Sequence, residues 1–236
     1  MFHLRKLLLN DLKEILKQNP NRDLLDLTEV SLEDMDLSGW NLRNIDFSWS
    51  TFKNIKFDSA DMSGSSVNSA LFENCSLHNT ILKNADLYAA NLRYCDLSNA
   101  NIEGANMNYA NLEYANLDKI IYNDDTKFFK LRCPEKGAFI AWKKCVDFRM
   151  VQLLIPEDAK RTSATLHTCR CNKAKVLSIK SIDYKESYDW ARSFVDENFI
   201  YRVGEMMEVK DFNEDRWMDS TTGIHFFMTR EEAIEY

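Results

Sequence analysis

The chain has 236 residues and a formal net charge of −7, with 45% hydrophobic residues, three prolines, six glycines and six cysteines. This length is enough for two domains, and the apolar fraction is enough for a buried core. The acidity argues against direct binding to nucleic acid or anionic membranes, which needs a basic surface, and no apolar run reaches the roughly 18 residues of a membrane span.

Residues 1–25 predict a capping helix. The stretch NDLKEILKQNP places Leu12, Ile15 and Leu16 on one helical face, and its Asn-Pro ending is a helix stop. A lid on the next domain is the favoured role, with membrane or partner binding as the alternative. The start carries charges and lacks a cleavage site, so we expect no signal peptide. Six cysteines without a secretion signal then favour reduced thiols in a cytoplasm.

Residues 26–122 repeat a pattern every five residues. Nineteen positions, from Leu27 to Leu117, are all apolar. The position two residues earlier is Ala, Ser, Cys or Thr throughout the later repeats, and the one between is mostly Asp, Asn or Ser. Two residues after the apolar position, Gly, Asn, Asp and Ser recur, and these residues favour turns. A corner every five residues predicts a coil of short straight sides.

Charges that follow the apolar positions indicate four sides per coil. Stepping by twenty, the sequence reads Glu33, Lys53, Glu73, Arg93 and Glu113, so the signs alternate. Neighbouring strands lie about 4.8 Å apart, and opposite charges would face each other at that distance. A step of fifteen gives no such order.

The motifs ADLYA, CDLSN, ANLEY and ANLDK resemble the A(D/N)LXX motif of the pentapeptide-repeat family. The resemblance covers residues 26–122 and implies a right-handed, four-sided β-helix of just under five coils. Some early coils carry large residues at the usually small position: Val30, Met35, Trp40, Ile45 and Ile55. Either these coils are wider, or the large side chains pack against the cap.

Residues 123–236 predict a small α+β domain, which makes the whole chain mainly β. Apolar, β-rich runs occupy residues 138–142, 151–155, 176–182, 199–203 and 224–228. Thr229 and Glu232 have capping-box spacing and predict a terminal helix. Segments such as CPEKGAFIAWKKC within residues 133–236 resemble an uncharacterised domain found after pentapeptide repeats in phage and bacterial proteins. That resemblance implies a fold relationship and no mechanism.

Thiols are the first candidates for chemistry. The last domain contains Cys133, Cys145, Cys169 and Cys171. Their spacing is poor for zinc, because Cys-x-Cys is tighter than the usual ligand pair. Cys169 with His167 or His225 could be a nucleophile and base, but no oxyanion signature accompanies them. Cys75 and Cys95 should stack on adjacent coils as core thiols. We predict no metal, no cofactor and no catalytic residue.

A basic cluster at residues 160–175 is a candidate anion or nucleotide-phosphate site. Its predicted ligands are Lys160, Arg161, Arg170, Lys173 and Lys175. The alternative is a solvated loop, or a face that meets an acidic neighbour.

Outward positions of the coils carry candidate partner-binding residues: Tyr88, Tyr94, Tyr109, Tyr114, Leu71 and Ile81. Tyrosines on a rigid frame make good contact anchors, because they offer a large area at a small entropy loss. The C-terminal domain could instead dock on them, the chain could self-associate through them, or they could simply face solvent.

Three functions follow from these observations. The favoured one is a non-enzymatic protein-binding module in a bacterial cytoplasm, concretely a phage-encoded inhibitor of a host enzyme or defence complex. The second is a DNA mimic that acts on a topoisomerase, as some pentapeptide-repeat proteins do. The net charge of −8 in residues 26–122 supports mimicry, whereas the alternating charge column weakens it. The third is a C-terminal domain that binds a small anionic or nucleotide ligand.

Overall fold

A computed structural model describes residues 4–236, so the first three residues of the predicted cap lie outside it. The chain divides between Lys130 and Leu131 into two compact units, called here the N-terminal and C-terminal units. The N-terminal unit contains β1 (Arg5–Lys6), α1 (Leu9–Gln18), β2 (Leu25–Asp26), β3 (Val30–Glu33), β4 (Ile45–Asp46), β5 (Thr51–Lys53) and β6 (Leu71–Glu73). Among the described residues, no helix is long and apolar enough to cross a bilayer.

The N-terminal segment covers the first coil with a strand and a helix. Strand β1 pairs in parallel with β3, where Arg5 is the partner of Val30. Leu12 of α1 is fully buried, and the Arg22 guanidinium donates to the carbonyls of Asn41 and Arg43 at 2.6 and 2.8 Å. The strand occupies an edge that would otherwise be unpaired.

The large early residues are accommodated in two ways. Val30, Ile45 and Ile55 are completely buried inside the coils. Trp40 is half-buried, and Lys13 of α1 lies 5.8 Å from its ring centroid. The first coils therefore take larger side chains into their interior, while the tryptophan meets the capping helix.

The register of the coils is twenty residues, which confirms four sides. Ser31 pairs in parallel with Thr51, and Thr51 with Leu71, and the ladder continues through Asn91 to Asn111. The inward residues divide among a first side (Leu27, Phe47, Val67, Leu87, Met107), a second (Leu32, Phe52, Phe72, Leu92, Leu112), a third (Leu37, Phe57, Leu77, Leu97, Leu117) and a fourth (Leu42, Met62, Leu82, Ile102).

Every corner of the coil has the same backbone conformation. All nineteen corner residues, from Glu29 to Lys119, have φ between 51° and 72°. Most corners are hydrogen-bonded turns, as where Ser50 N–H donates to Phe47 O at 3.2 Å. Gly and Asn adopt this conformation at little cost, but Trp49 adopts it as well. The geometry of the coil therefore overrides the preference of the individual residue.

The polar columns of the repeat have equally local causes. The carboxylate of Asp61 accepts from Ser63 N–H at 3.0 Å, and the side chain of Asn91 accepts from Arg93 N–H at 3.2 Å. Asp and Asn thus make the same bond to the backbone two residues on. Where the small position holds Ser or Thr, its hydroxyl can donate a hydrogen bond to a backbone carbonyl of the preceding coil, as Thr80 does to Phe57 O at 2.8 Å.

The β-helix continues beyond Leu117, where the sequence pattern fades. Ile121 N–H donates to Ala100 O at 2.8 Å, and Lys127 N–H donates to Ala105 O at 2.9 Å. The pairing of Asn106 with Lys127 spans twenty-one residues, so the last coil contains one extra residue.

The C-terminal unit combines short sheets with one helix. Its elements are β7 (Phe139–Cys145), a 3₁₀ turn (Val146–Phe148), β8 (Arg149–Ile155), β9 (Arg161–Ser163), β10 (Cys169–Cys171), β11 (Lys173–Ser181), β12 (Trp190–Arg192), β13 (Ile200–Arg202), β14 (Met206–Glu208), β15 (Ile224–Phe226) and α2 (Arg230–Glu235). The antiparallel sheets have the orders β14-β11-β8-β7, β15-β10-β9 and β12-β13. The predicted capping box is confirmed: Glu232 N–H donates to the Thr229 hydroxyl at 3.2 Å, and Thr229 N–H donates to the Glu232 carboxylate at 3.3 Å.

Candidate functional site

Four exposed tyrosines lie at two neighbouring corners of the late coils. Tyr94 and Tyr114, at the corner after the second side, stack with ring centroids 4.9 Å apart and planes inclined by 8°. Tyr88 and Tyr109, at the corner between the first and second sides, have centroids 5.5 Å apart. Their exposed fractions are 36% for Tyr88, 67% for Tyr94, 46% for Tyr109 and 54% for Tyr114. These four residues are called the tyrosine surface below.

The second side of the β-helix lies between these two corners. There Arg93 forms an ion pair with Glu113 at 2.9 Å, and its guanidinium lies 5.5 Å from the Tyr94 ring centroid. Arg93 Nε is buried and has no hydrogen-bond partner in the described chain. The tyrosine surface therefore frames a charged pair and presents both aromatic area and polar groups.

The other two predicted contact residues, Leu71 and Ile81, lie on different sides of the coil. Leu71 lies on the second side, in the ladder that contains Asn91 and Asn111. Ile81 pairs with Asp61 and Asn101 on the fourth side, which is opposite the second in a four-sided coil. The structure therefore keeps Leu71 on the side that the tyrosines frame and places Ile81 on a different face.

Most of the basic cluster at 160–175 is used in internal contacts. Buried Arg170 donates to the carbonyls of Asn213, Asp215 and Thr222, each at 2.9 Å. Arg161 donates to the carbonyls of Gly137, Pro156, Glu157 and Ala159. Lys160 pairs with Glu214, and Lys173 pairs with Asp158, while Lys175 is exposed on β11.

A cavity beside this cluster is small, and both acidic and basic side chains line it. It has a volume of about 280 Å³, and Glu135 and Glu214 line it together with Lys160 and Arg161. The predicted anion ligands therefore do not converge on a common positive site.

The thiols are buried and free. Burial raises the pKa of Cys75 to about 11 and that of Cys95 to about 12. In the C-terminal unit, the neighbouring thiol of Cys133 and burial raise the pKa of Cys169 well above its ordinary value. Across residues 4–236, no group of three or more His, Cys, Asp or Glu side chains is placed to hold a metal ion.

The histidines considered as bases for Cys169 bond elsewhere. His167 Nδ1 lies 3.0 Å from the Glu232 carboxylate. His225 Nε2 lies 2.9 Å from the carbonyl oxygen of Thr221. Glu232 also forms an ion pair with Arg132. Burial alone would raise the pKa of Glu232, but the bond from His167 and the charge of Arg132 outweigh it and lower the pKa.

The C-terminal unit contains a cavity that the sequence did not predict. Its volume is about 670 Å³, within the range of small-molecule sites. Lys143 of β7, Tyr201 of β13 and His225 of β15 line it, and so do hydroxyl residues at 220–222. These residues share no sequence spacing, so only the fold brings them together.

Comparisons with known proteins identify both parts of the chain. Residues 25–102 match a "Pentapeptide repeat region" and residues 85–121 match "Pentapeptide repeats (8 copies)". Residues 129–233 match a "Family of unknown function (DUF5758)". A comparison with curated proteins found no significant match.

Solved structures similar to the chain are pentapeptide-repeat proteins. One, from the Arabidopsis thaliana thylakoid lumen, is 26% identical over 44% of this chain and 70% of its own, with a TM-score of 0.32. HetL, which is involved in heterocyst differentiation regulation in Nostoc, is 26% identical over 49% of this chain and half of its own, with a TM-score of 0.27. Full-length QnrB1, a plasmid-mediated fluoroquinolone resistance protein, is 11% identical over 42% of this chain and 78% of its own, with a TM-score of 0.17.

Proposed function

We propose that this chain, in which a pentapeptide-repeat region precedes a domain of unknown function, is a non-enzymatic protein that binds another protein through its tyrosine surface. The observation that carries the proposal is the stacked pair of Tyr94 and Tyr114 beside the Arg93–Glu113 ion pair. Aromatic residues and arginine dominate the energetic centres of protein interfaces. The segment that carries Tyr94 is fixed by backbone hydrogen bonds to both adjoining coils, and one of these joins Tyr94 N–H to Glu113 O at 3.1 Å.

The backbone of these tyrosines gives further support. Tyr94, Tyr109 and Tyr114 have φ of 60°, 61° and 58°. A non-glycine residue in this conformation costs about 1–2 kcal/mol, and Asn occupies many equivalent corners in the same chain. The repeat fold does not need tyrosine here, so the side chains are better explained by what they contact outside the coil.

A finer form of the proposal concerns the partner and the compartment. The resemblance of residues 133–236 to domains of phage and bacterial proteins supports a phage-encoded inhibitor of a host enzyme or defence complex, acting in the bacterial cytoplasm. Self-association is the simplest competing use of the same surface.

Mimicry of DNA at a topoisomerase is the second candidate, favoured by the net charge of −8 in residues 26–122. Much of this acidity has structural partners: Glu33 pairs with Lys53 at 3.3 Å, and Glu103 pairs with Lys83 at 2.7 Å. In the column of Asp46 and Asp86, neutral Ser66 lies between the two carboxylates. A duplex carries one charge per roughly 1.7 Å of its axis, so the charge density of this column is well below that of DNA.

Site-directed photo-crosslinking of the full-length chain tests the main proposal. Benzoylphenylalanine at position 94 should give a discrete adduct with one bacterial protein, and the same probe at Ile81 on the opposite face should not. A Tyr94→Ala, Tyr114→Ala variant should lose capture of that protein while it keeps its thermal stability within a few degrees.

Four other outcomes contradict the proposal. A crosslink from position 94 to residues 131–236 of the same chain would show that the C-terminal unit covers the surface. A crosslinked homodimer would assign the surface to self-association. Equal capture by the double tyrosine variant would place the partner site elsewhere, and inhibition of gyrase that depends on Asp46 and Asp86 would favour mimicry.

A further inference from the structure

The large cavity of the C-terminal unit contains an unusual lysine. Lys143 is half-buried on β7 and donates to His225 O at 3.1 Å, and its Nζ lies 5.9 Å from the ring centroid of Tyr201. Among residues 4–236, no carboxylate forms an ion pair with it. Lysines withdrawn from water are ordinarily paired, so an unpaired one on a cavity wall calls for a functional explanation.

The surroundings of Lys143 favour its neutral amine. Burial lowers the pKa of Lys143 because a desolvated ammonium is disfavoured. The nearest ionisable groups that would favour the cation are the thiols of Cys145 and Cys171. Burial raises their pKa values to about 11 and about 12, so they carry no negative charge at neutral pH. A neutral lysine amine has a lone pair and is a nucleophile.

Two further groups of the cavity, His225 and Tyr201, can accept or donate a proton. The carbonyl of Thr221 accepts a hydrogen bond from His225 Nε2 at 2.9 Å, which leaves Nδ1 with a lone pair in the neutral ring. Burial lowers the pKa of His225 and raises that of Tyr201 well above its ordinary value. At neutral pH the cavity thus holds an unprotonated imidazole and a protonated phenol.

From this arrangement, we propose that the cavity binds a small aldehyde or ketone and that Lys143 Nζ condenses with its carbonyl carbon. The nitrogen lone pair forms the new C–N bond as the carbonyl π electrons move to oxygen, which takes up a proton. The nitrogen loses both of its protons, which balance the two that the oxygen takes up in all; the C–O bond then breaks, and oxygen leaves as water while C=N forms. One carbonyl compound and one amine give one imine and one water, and nothing is oxidised or reduced.

The charged and titratable groups around the amine define its pH response. Facing or lining the site are Cys145, Cys171, Tyr201, His225, Tyr236, Asp196, Glu208, Lys210 and Asp211. None of the three carboxylates forms an ion pair with Lys143, so none holds the amine in its protonated form through direct contact. Reaction with a carbonyl should therefore begin at lower pH than for an exposed lysine.

Reductive trapping on the full-length protein tests the proposal. The protein is incubated with propanal and cyanoborohydride at a series of pH values, and the initial rate of propylation is measured by mass spectrometry at each lysine. Lys17 and Lys119 are internal controls, because their side chains are 78% and 75% exposed. We expect Lys143 to react severalfold faster than either at pH 7, because its lowered pKa raises the neutral fraction of its amine.

Rates at Lys143 equal to or below those of the two exposed lysines would overturn the proposal, and this readout needs no variant. Tyr201→Phe keeps the ring and removes the phenol proton. It should slow labelling of Lys143 severalfold without slowing Lys17. Lys143→Arg should abolish the fast-reacting site, and a fast site that persisted in this variant would also contradict the assignment.

Discussion

Truncation of one inward residue, compared with its outward neighbour, is the sharpest test of the coil. Leu92 is fully buried in the second side, between Phe72 and Leu112 in the twenty-residue stack. Truncating a buried leucine costs about 2–5 kcal/mol. We expect Leu92→Ala to lie near the middle of that range, about 3 kcal/mol, because rigid backbone ladders above and below limit collapse of the cavity.

The neighbouring residue provides a matched control. Arg93 is 41% exposed and pairs with Glu113, and an exposed ion pair contributes up to about 1 kcal/mol. Arg93→Ala should therefore cost under about 1 kcal/mol, although it lies one residue away on the same side of the coil.

The assay must isolate the N-terminal unit, because a chain of two units need not unfold in one step. Urea denaturation combined with hydrogen-exchange mass spectrometry gives the stability of the coil peptides directly. Equal losses for Leu92→Ala and Arg93→Ala would refute the assignment of inward and outward positions. A loss below about 1 kcal/mol for Leu92→Ala would refute close packing of the interior.

Three further predictions use other parts of the structure. Gly104→Ala should destabilise the chain more than Gly39→Ala in thermal melts: both glycines have φ near 71°, but only at Gly104 would the new Cβ lie 2.2 Å from the Asn84 side-chain oxygen. Equal losses would contradict that contact. Glu232→Gln should make the stability of the chain depend less on pH under acid conditions. The folded state lowers the pKa of Glu232, so its carboxylate stabilises the fold above about pH 4.5, and this stabilisation is lost as pH falls through the folded-state pKa. An unchanged acid dependence in the variant would contradict this. Cys95 should resist a thiol reagent at pH 8 until the coils unfold, given a pKa raised to about 12, and rapid native-state labelling would refute its burial.

The repeat could be predicted from sequence because each position of the five-residue motif meets one physical requirement of the coil. The alternating charges predicted the twenty-residue register, which the Glu33–Lys53 and Arg93–Glu113 pairs confirm at 3.3 and 2.9 Å. Turn-forming residues predicted the corners in general. They did not predict the corner backbone of Tyr94, since that conformation is imposed by hydrogen bonds from the adjoining coils and not by the residue itself.

The C-terminal unit was less predictable because its contacts are long-range. Five apolar runs predicted strands that the structure contains, but the three-residue strands β9, β10, β12 and β14 lie outside those runs. The basic cluster suggested an anion site, whereas Arg170 is buried against backbone carbonyls. Lys143 carried no sequence signal, since its cavity partners Tyr201 and His225 lie 58 and 82 positions further along the chain.

The corners of the β-helix allow structural needs to be separated from functional ones. Asn and Gly satisfy the positive φ, so a tyrosine at a corner gives up about 1–2 kcal/mol of stability. Stacking of Tyr94 on Tyr114 returns about 0.5–1.5 kcal/mol, which leaves little or no net gain in the free chain. The rings nevertheless stay 67% and 54% exposed, and that area would yield hydrophobic free energy only when covered. A corner built this way makes sense if another surface covers it, which is why the tyrosine surface carries the proposed function.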